Sequence, residues 1–484
     1  MIKKEMPQYV LIGLNSLKTA GFSAFVVGGA VRDHLLGKTP QDWDIATNAK
    51  PEEIIKVFDA LNMKTLYENE FGTVTIFIQG KALEITTFRV EGNYIDKRHP
   101  ELIKWTDKIE EDLKRRDFTV NAMAMSDDYK VLDLFDGKRD LKAKIIKTVN
   151  SPDQRFEEDA LRMIRAIRFA CELGAGWKID KETFKSIQKN KSLLKEVSNE
   201  RIRDEFIKIV MSKEAKKGIL LLKETGLLCY IVPELELGCG CLQNKHHIYD
   251  VFEHNLESLD FGARKGFNMY VRFAALLHDI GKPKTKVGTG EEATFYNHEI
   301  VGAHMTQKIL ERLKFPKKDI EKIVNLVRYH LFYYNVDEVT ESSVRRLVKN
   351  VGLENMDDLI KLRMCDRIGS GCPKAEPYKL RHLQYLIEKV SKDPISVKML
   401  KVNGKDVMDI LEIKPSYKIG FILDILLAEV LEDPGKNKKE YLKKRIEELG
   451  KEKELKTIFE KAKKEIKTIV SKKDKMTKEK YWLV

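Results

Sequence analysis

The chain has 484 residues, enough for roughly two to four domains, with 43% hydrophobic and 34% charged residues. That balance fits a globular protein and excludes collagen-like or low-complexity classes. No run of about 18 apolar residues occurs, so no membrane-spanning helix is expected. The net charge of +13 favours polyanionic partners, and nucleic acid is the first candidate. Much of that charge lies between Lys436 and Lys480, where 18 Lys/Arg face 9 Asp/Glu. The alternative for that segment is a solvated lysine-rich helix face. Six cysteines, at 171, 229, 239, 241, 365 and 372, form neither a disulfide framework nor a zinc pattern; reduced thiols in a cytoplasm are expected.

The start, MIKKEMPQYVLIGLNSL, is too polar for a secretory signal and predicts a helix. FSAFVVGG (22–29) predicts a buried strand ending in a glycine turn, and AVRDHLLG a helix stopped by Gly37. DWDIAT predicts a strand, and Pro51 opens the next helix. GTVTIFIQGKALEITTFR (72–89) predicts a hairpin turning at QGK. After about residue 150 strand signals vanish and apolar residues recur at helical spacing. SPDQRFEEDALRMIRAIRFACELG is one such stretch. The expected architecture is α+β: a mixed head over 1–150, a helical neck over 151–232, a histidine-rich helical domain over 233–390 and a basic helical tail over 391–484.

Chemistry begins at QDWDIAT. Side chains two apart on a strand share a face, so Asp42 and Asp44 converge and repel unless a cation lies between them. Mg²⁺ suits carboxylate and phosphate oxygens, and such a pair can hold two ions. Glu84 in ALEITTFR is the best placed third acid. Upstream, Gly28 and Gly29 end a strand and open a helix, forming a phosphate cradle with Arg32 one turn further on. Asp159 and Arg162, spaced i,i+3 on the expected helix, offer an acceptor beside a donor. Cytosine and adenine both present the complementary donor beside an acceptor, whereas uracil and guanine reverse it. A surface salt bridge is the alternative for that pair.

GGAVRDHLLGKTPQDWDIATNAKPEE resembles the signature of class II nucleotidyltransferases, the bacterial CCA-adding enzymes and poly(A) polymerases. RRDFTVNAMA (115–124), DLFDG (133–137), EEDALRMIRAIRFA (157–170) and SNERIRDE (198–205) resemble the family's further motifs in order. The resemblance implies a polymerase-β-like head in which Asp42 and Asp44 hold Mg²⁺. It implies a nucleotide site that includes Gly28, Gly29, Arg32, Arg116, Asp117, Asn121 and Arg165, with Asp159 and Arg162 choosing CTP and ATP. The acceptor would be tRNA, completed or repaired to its 3′-terminal CCA without a template. The charged stretch 90–117 resembles the loop of enzymes that add the terminal A. KVNGKDVMDILEIKPSYKIGFILDILL (401–427) resembles the family's tail, whose basic helices would contact tRNA phosphates.

Seven of the ten histidines lie between 246 and 330. The pattern H…HD…H…H…D resembles the HD phosphohydrolases, which act on phosphoesters through metal-activated water. Carried over, His254, His278, Asp279 and Asp366 form the core site, and His298 and His330 a second metal position. Imidazole with carboxylate suits Mn²⁺, Fe, Ni²⁺ or Zn²⁺. His304 and His246 are weaker candidates. Two readings stay open beside CCA addition: a poly(A) polymerase of the same class, and an HD phosphohydrolase with an RNA-binding head.

Overall fold

The computed structural model describes residues 5–67, 72–91, 103–243, 248–336, 338–391 and 397–483. Residues 92–102 of the 90–117 stretch therefore fall outside the described residues, as do His246 and most of SKDPIS (391–396). The chain forms two compact units: residues 1–330 with 361–373, and residues 331–360 with 374–484.

The first unit opens with helix α1 (Gln8–Thr19), whose Val10, Leu14 and Leu17 are fully buried at helical spacing. A seven-stranded mixed sheet follows, ordered β3-β4-β5-β2-β1-β8-β9. Its strands are β1 (Ala24–Val27), β2 (Asp44–Thr47), β3 (Lys64–Tyr67), β4 (Thr73–Ile78) and β5 (Lys81–Thr87), then β8 (Met123–Met125) and β9 (Val131–Asp133). Between them β6 (Arg89–Glu91) pairs with β7 (Ile103–Trp105). Helix α2 (Gly29–Leu35) joins β1 to β2, and α3 (Pro51–Asp59) begins at the expected proline. The expected hairpin is present: Gln79 (φ 52°) and Gly80 (φ 75°) make the two-residue turn between β4 and β5.

Two differences from the sequence reading concern the site. Strand β2 starts at Asp44, so Asp42 lies in the turn before it. The stretch 151–174, expected to be helical throughout, is divided into α6 (Pro152–Glu158) and α7 (Leu161–Glu172) at Asp159, whose backbone is extended (φ −145°, ψ 103°). Strand signals do not vanish entirely either. β10 (Ile145–Ile146) pairs in parallel with β11 (Lys178–Ile179), a stretch too short for periodicity to reveal.

Beyond that the first unit is helical. Helix α9 (Asn199–Met211) packs on α7. Helices Val251–Arg264, Met269–Leu277, His298–Arg312 and Lys317–Arg328 follow. The second unit has its own core, in which Ile422 and Leu426 of helix Tyr417–Glu432 pack with Leu442, Ile446 and Leu449. The 26-residue helix Leu455–Lys480 buries only Leu455 and Ala462, leaving most of its lysines in solvent.

Candidate active and metal sites

Trp43 is 6% exposed, buried between Asp42, which is exposed in the turn, and Asp44, which is half-buried at the start of β2. Both line a cleft of about 410 Å³ with Gly29, Arg32, Lys38 and Glu172. Asp44 pairs with Val27 on one side and, in parallel register, with Glu84 on the other. Glu84 thus shares Asp44's face, although it is not among the residues lining the cleft. Burial raises the Asp44 carboxyl above its ordinary range; Arg116 opposes that and Asp42 adds to it. Gly28, next to Val27, has φ 71° and ψ −132°, a conformation reserved for glycine, and a Cβ there would meet Arg116 Nη1 at 3.0 Å.

The basic motif residues are drawn together behind the cleft. Arg32 donates from Nη1 to Asn121 Oδ1 at 2.8 Å. Asn121 donates to Asp117 Oδ1 at 3.2 Å, and Arg165 grips Asp117 Oδ2 with Nε and Nη2 at 3.0 and 2.6 Å. Burial would raise Asp117, but Arg165 and its hydrogen bonds outweigh this and hold it at about 2. Arg116 and Arg115 both bond Asp112, a carboxylate fully out of solvent that sequence reasoning missed.

The expected one-helix face for Asp159 and Arg162 is corrected. Asp159 stands in the break between helices. Its oxygens accept from Arg201 Nη1 and Nη2 at 3.2 and 2.8 Å, and from the Leu161 N–H at 3.1 Å. Those bonds stabilise the extended backbone and interrupt the helix. Arg162 is buried and donates to Glu158 Oε2 at 2.8 Å and the Arg115 carbonyl at 3.2 Å. Arg201 and Glu158 were unassigned partners; both lie in the quoted motifs, but nothing in their spacing marks them.

A second cluster forms in the helical part. His254, His278 and Asp366 make one group of converging ligand atoms, and Asp279, His298 and His330 another, each within 4.8 Å. Asp279 joins them: Oδ2 lies 3.2 Å from His254 Nε2, and Oδ1 lies 3.3 Å from His298 Nε2 and 3.6 Å from His330 Nε2. His278, His298 and His330 each place Nδ1 against a carbonyl three residues back, at 2.9, 2.6 and 2.7 Å. Donation there fixes the tautomer and turns a bare Nε2 inward, as a metal requires. His298 Nε2 and His330 Nε2 are buried without a hydrogen-bond partner. His254 and His278 set their Nε2 atoms 2.9 Å apart, which needs a proton or a cation between them. Burial pulls His254 down, but Asp279 and Asp366 raise it to about 9. The donor set fits divalent metal. Gly281 permits the packing, since a Cβ there would come within 2.3 Å of the His298 carbonyl. His304 is exposed and outside the cluster.

The chain is similar to known proteins along most of its length. Residues 24–147 match the family described as "Poly A polymerase head domain", 176–238 "Probable RNA and SrmB- binding site of polymerase A", and 251–367 "HD domain". A CCA-adding enzyme of Ligilactobacillus salivarius is 34% identical over 443 residues, 91% of this chain and 96% of that protein. The chain belongs to the CCA-adding enzyme family. The Bacillus subtilis CCA-adding enzyme is 44% identical over 215 residues, covering 44% of this chain and 53% of that one. A crystal structure of the Bacillus stearothermophilus CCA-adding enzyme in complex with CTP superposes with TM-score 0.60 at 28% identity, covering 91% and 96% of the two chains. The polymerase-like head with a helical, HD-containing body is the fold of this family.

Proposed function

We propose that this CCA-adding enzyme completes or repairs the 3′ end of tRNA with CTP and ATP, using Asp42 and Asp44 as its metal-binding pair. The observation that carries the site assignment is their joint exposure in one cleft beside Gly29 and Arg32. The tRNA 3′-hydroxyl attacks the α-phosphate, and pyrophosphate leaves. Asp42 and Asp44 would hold Mg²⁺, which would supply hydroxyl activation and charge neutralisation. Glu84, beside Asp44 in the sheet, supports that pair. Arg32, Asn121, Asp117 and Arg165 form the linked wall that orients the nucleotide. Asp159 and Arg162 read the base once nucleotide edges take the place of some of their present protein partners. The lysine-rich tail helices contact tRNA phosphates, and the enzyme works in the cytoplasm.

The test uses tRNAs ending before CCA, after the first C and after CC. Three added nucleotides support the reading, whereas a long A ladder favours poly(A) synthesis. Retained CTP incorporation by Asp42→Ala with Asp44→Ala removes the metal assignment.

A second reading applies to the HD cluster. We infer that it holds a transition metal and hydrolyses phosphoesters, because Asp279, one of the second three-residue group, also approaches His254 of the first. Phosphate release from RNA ends or nucleotides with added Ni²⁺ or Mn²⁺ tests it; silence with every metal refutes it.

A further inference from the structure

Asp112 lies on α4 (Ile109–Lys114) and is 0% exposed. A buried carboxylate is costly unless well paired, and this one takes two arginines. Arg115 grips Oδ1 with Nε and Nη2 at 2.9 and 2.8 Å. Arg116 donates from Nη2 to Oδ2 at 3.1 Å. One arginine would neutralise the charge. The second is held for another purpose: Arg116 Nη1 lies 3.0 Å from where a Gly28 Cβ would stand, next to Val27, which pairs with Asp44. Its Nε is buried with no hydrogen-bond partner, so the Asp112 bond is its tether there. The same helix end is tied to the base-reading region. The Lys114 carbonyl accepts from Arg155 at 3.3 Å, and the Arg115 carbonyl from Arg162 at 3.2 Å.

We infer that Asp112 is a positioning residue for nucleotide transfer: it aims Arg116 at the triphosphate beside Gly28 and Asp44, and steadies the Arg115 carbonyl that holds Arg162. This rests on the nucleotidyltransfer reading above. A free arginine side chain samples many rotamers, and binding a triphosphate would require freezing it. Asp112 freezes it in advance. Without its charge, the triphosphate contact loses preorganisation while the acidic pair stays intact.

The experiment compares wild type, Asp112→Asn, Asp112→Glu, Arg116→Ala and the double variant Asp112→Asn/Arg116→Ala as full-length chains. KM and kcat are measured for CTP, ATP and tRNA. Asp112→Asn is expected to raise the KM for both nucleotides about tenfold, with the KM for tRNA unmoved. On the Arg116→Ala background the same change should add less than about twofold. An unchanged nucleotide KM in folded Asp112→Asn overturns the inference. So does a full loss repeated on the Arg116→Ala background, which marks a purely structural role. If Asp112→Asn does not fold, Asp112→Glu decides: its charge is displaced by one methylene, so a raised nucleotide KM supports the inference and a normal one refutes it. A wild type that incorporates no CTP refutes nucleotidyl transfer itself instead.

Discussion

Replacing Gly28 by alanine tests the cradle directly. Its φ of 71° with ψ of −132° is a region that L residues enter only under strain, at about 1–3 kcal/mol. The added Cβ also arrives 3.0 Å from Arg116 Nη1, closer than ordinary contact, so the guanidinium must shift. That guanidinium is tethered to Asp112 through Nη2, so its displacement loosens that bond in addition to the backbone strain. Domains of this kind hold about 5–15 kcal/mol of stability, so Gly28→Ala stays folded at room temperature. The lost activity is therefore separable from lost structure. A methyl group where the triphosphate approaches, together with a displaced Arg116, should lower kcat/KM for CTP about 100-fold. The assays are chemical denaturation and labelled-CTP incorporation on the same preparation. Wild-type activity and stability together would refute the claim that this backbone shape is required. Lost stability with normal kcat/KM would keep the strain and refute the cradle.

Three further outcomes are expected. Asp279→Asn should abolish metal-stimulated phosphate release while CTP incorporation continues, measured in parallel on one sample. Arg201→Met should lower kcat/KM for CTP about tenfold and weaken rejection of UTP, because Asp159 loses its two-pronged partner, as competition assays would read. Asp117 is lowered from its ordinary 3.8 to about 2, so the unfolded chain takes up its proton first on acidification. Its contribution of about 2 kcal/mol is complete above the unfolded value and fades as pH falls toward the folded one. The stability gap between wild type and Asp117→Asn should accordingly narrow from about pH 5 to about pH 3, by urea denaturation at each pH.

Features encoded locally were legible in the sequence. The DxD pair, the Gly28–Gly29 turn and the QGK hairpin depend on neighbours a few residues apart. The convergence of His254, His278, Asp279, His298, His330 and Asp366 was legible through the resemblance to the HD phosphohydrolases. What escaped was long-range pairing. Asp159 breaks its helix because Arg201, 42 residues on, holds it; Asp117 meets Arg165 from 48 residues away. Local periodicity carries no trace of such partners. Asp112 was hidden differently: EED places three acids in a row, and only the helix shows which one faces inward.

The clustered histidines and aspartates span residues 254 to 366 and come from separate helical segments. Ion capture there would therefore clasp much of the helical body in a single ring. By mass action, a cation at a hundred times its dissociation constant adds about 2.7 kcal/mol to the native state. Batches purified through chelating buffers and batches reloaded with metal would then melt at different temperatures, even if their rates of CTP incorporation agree.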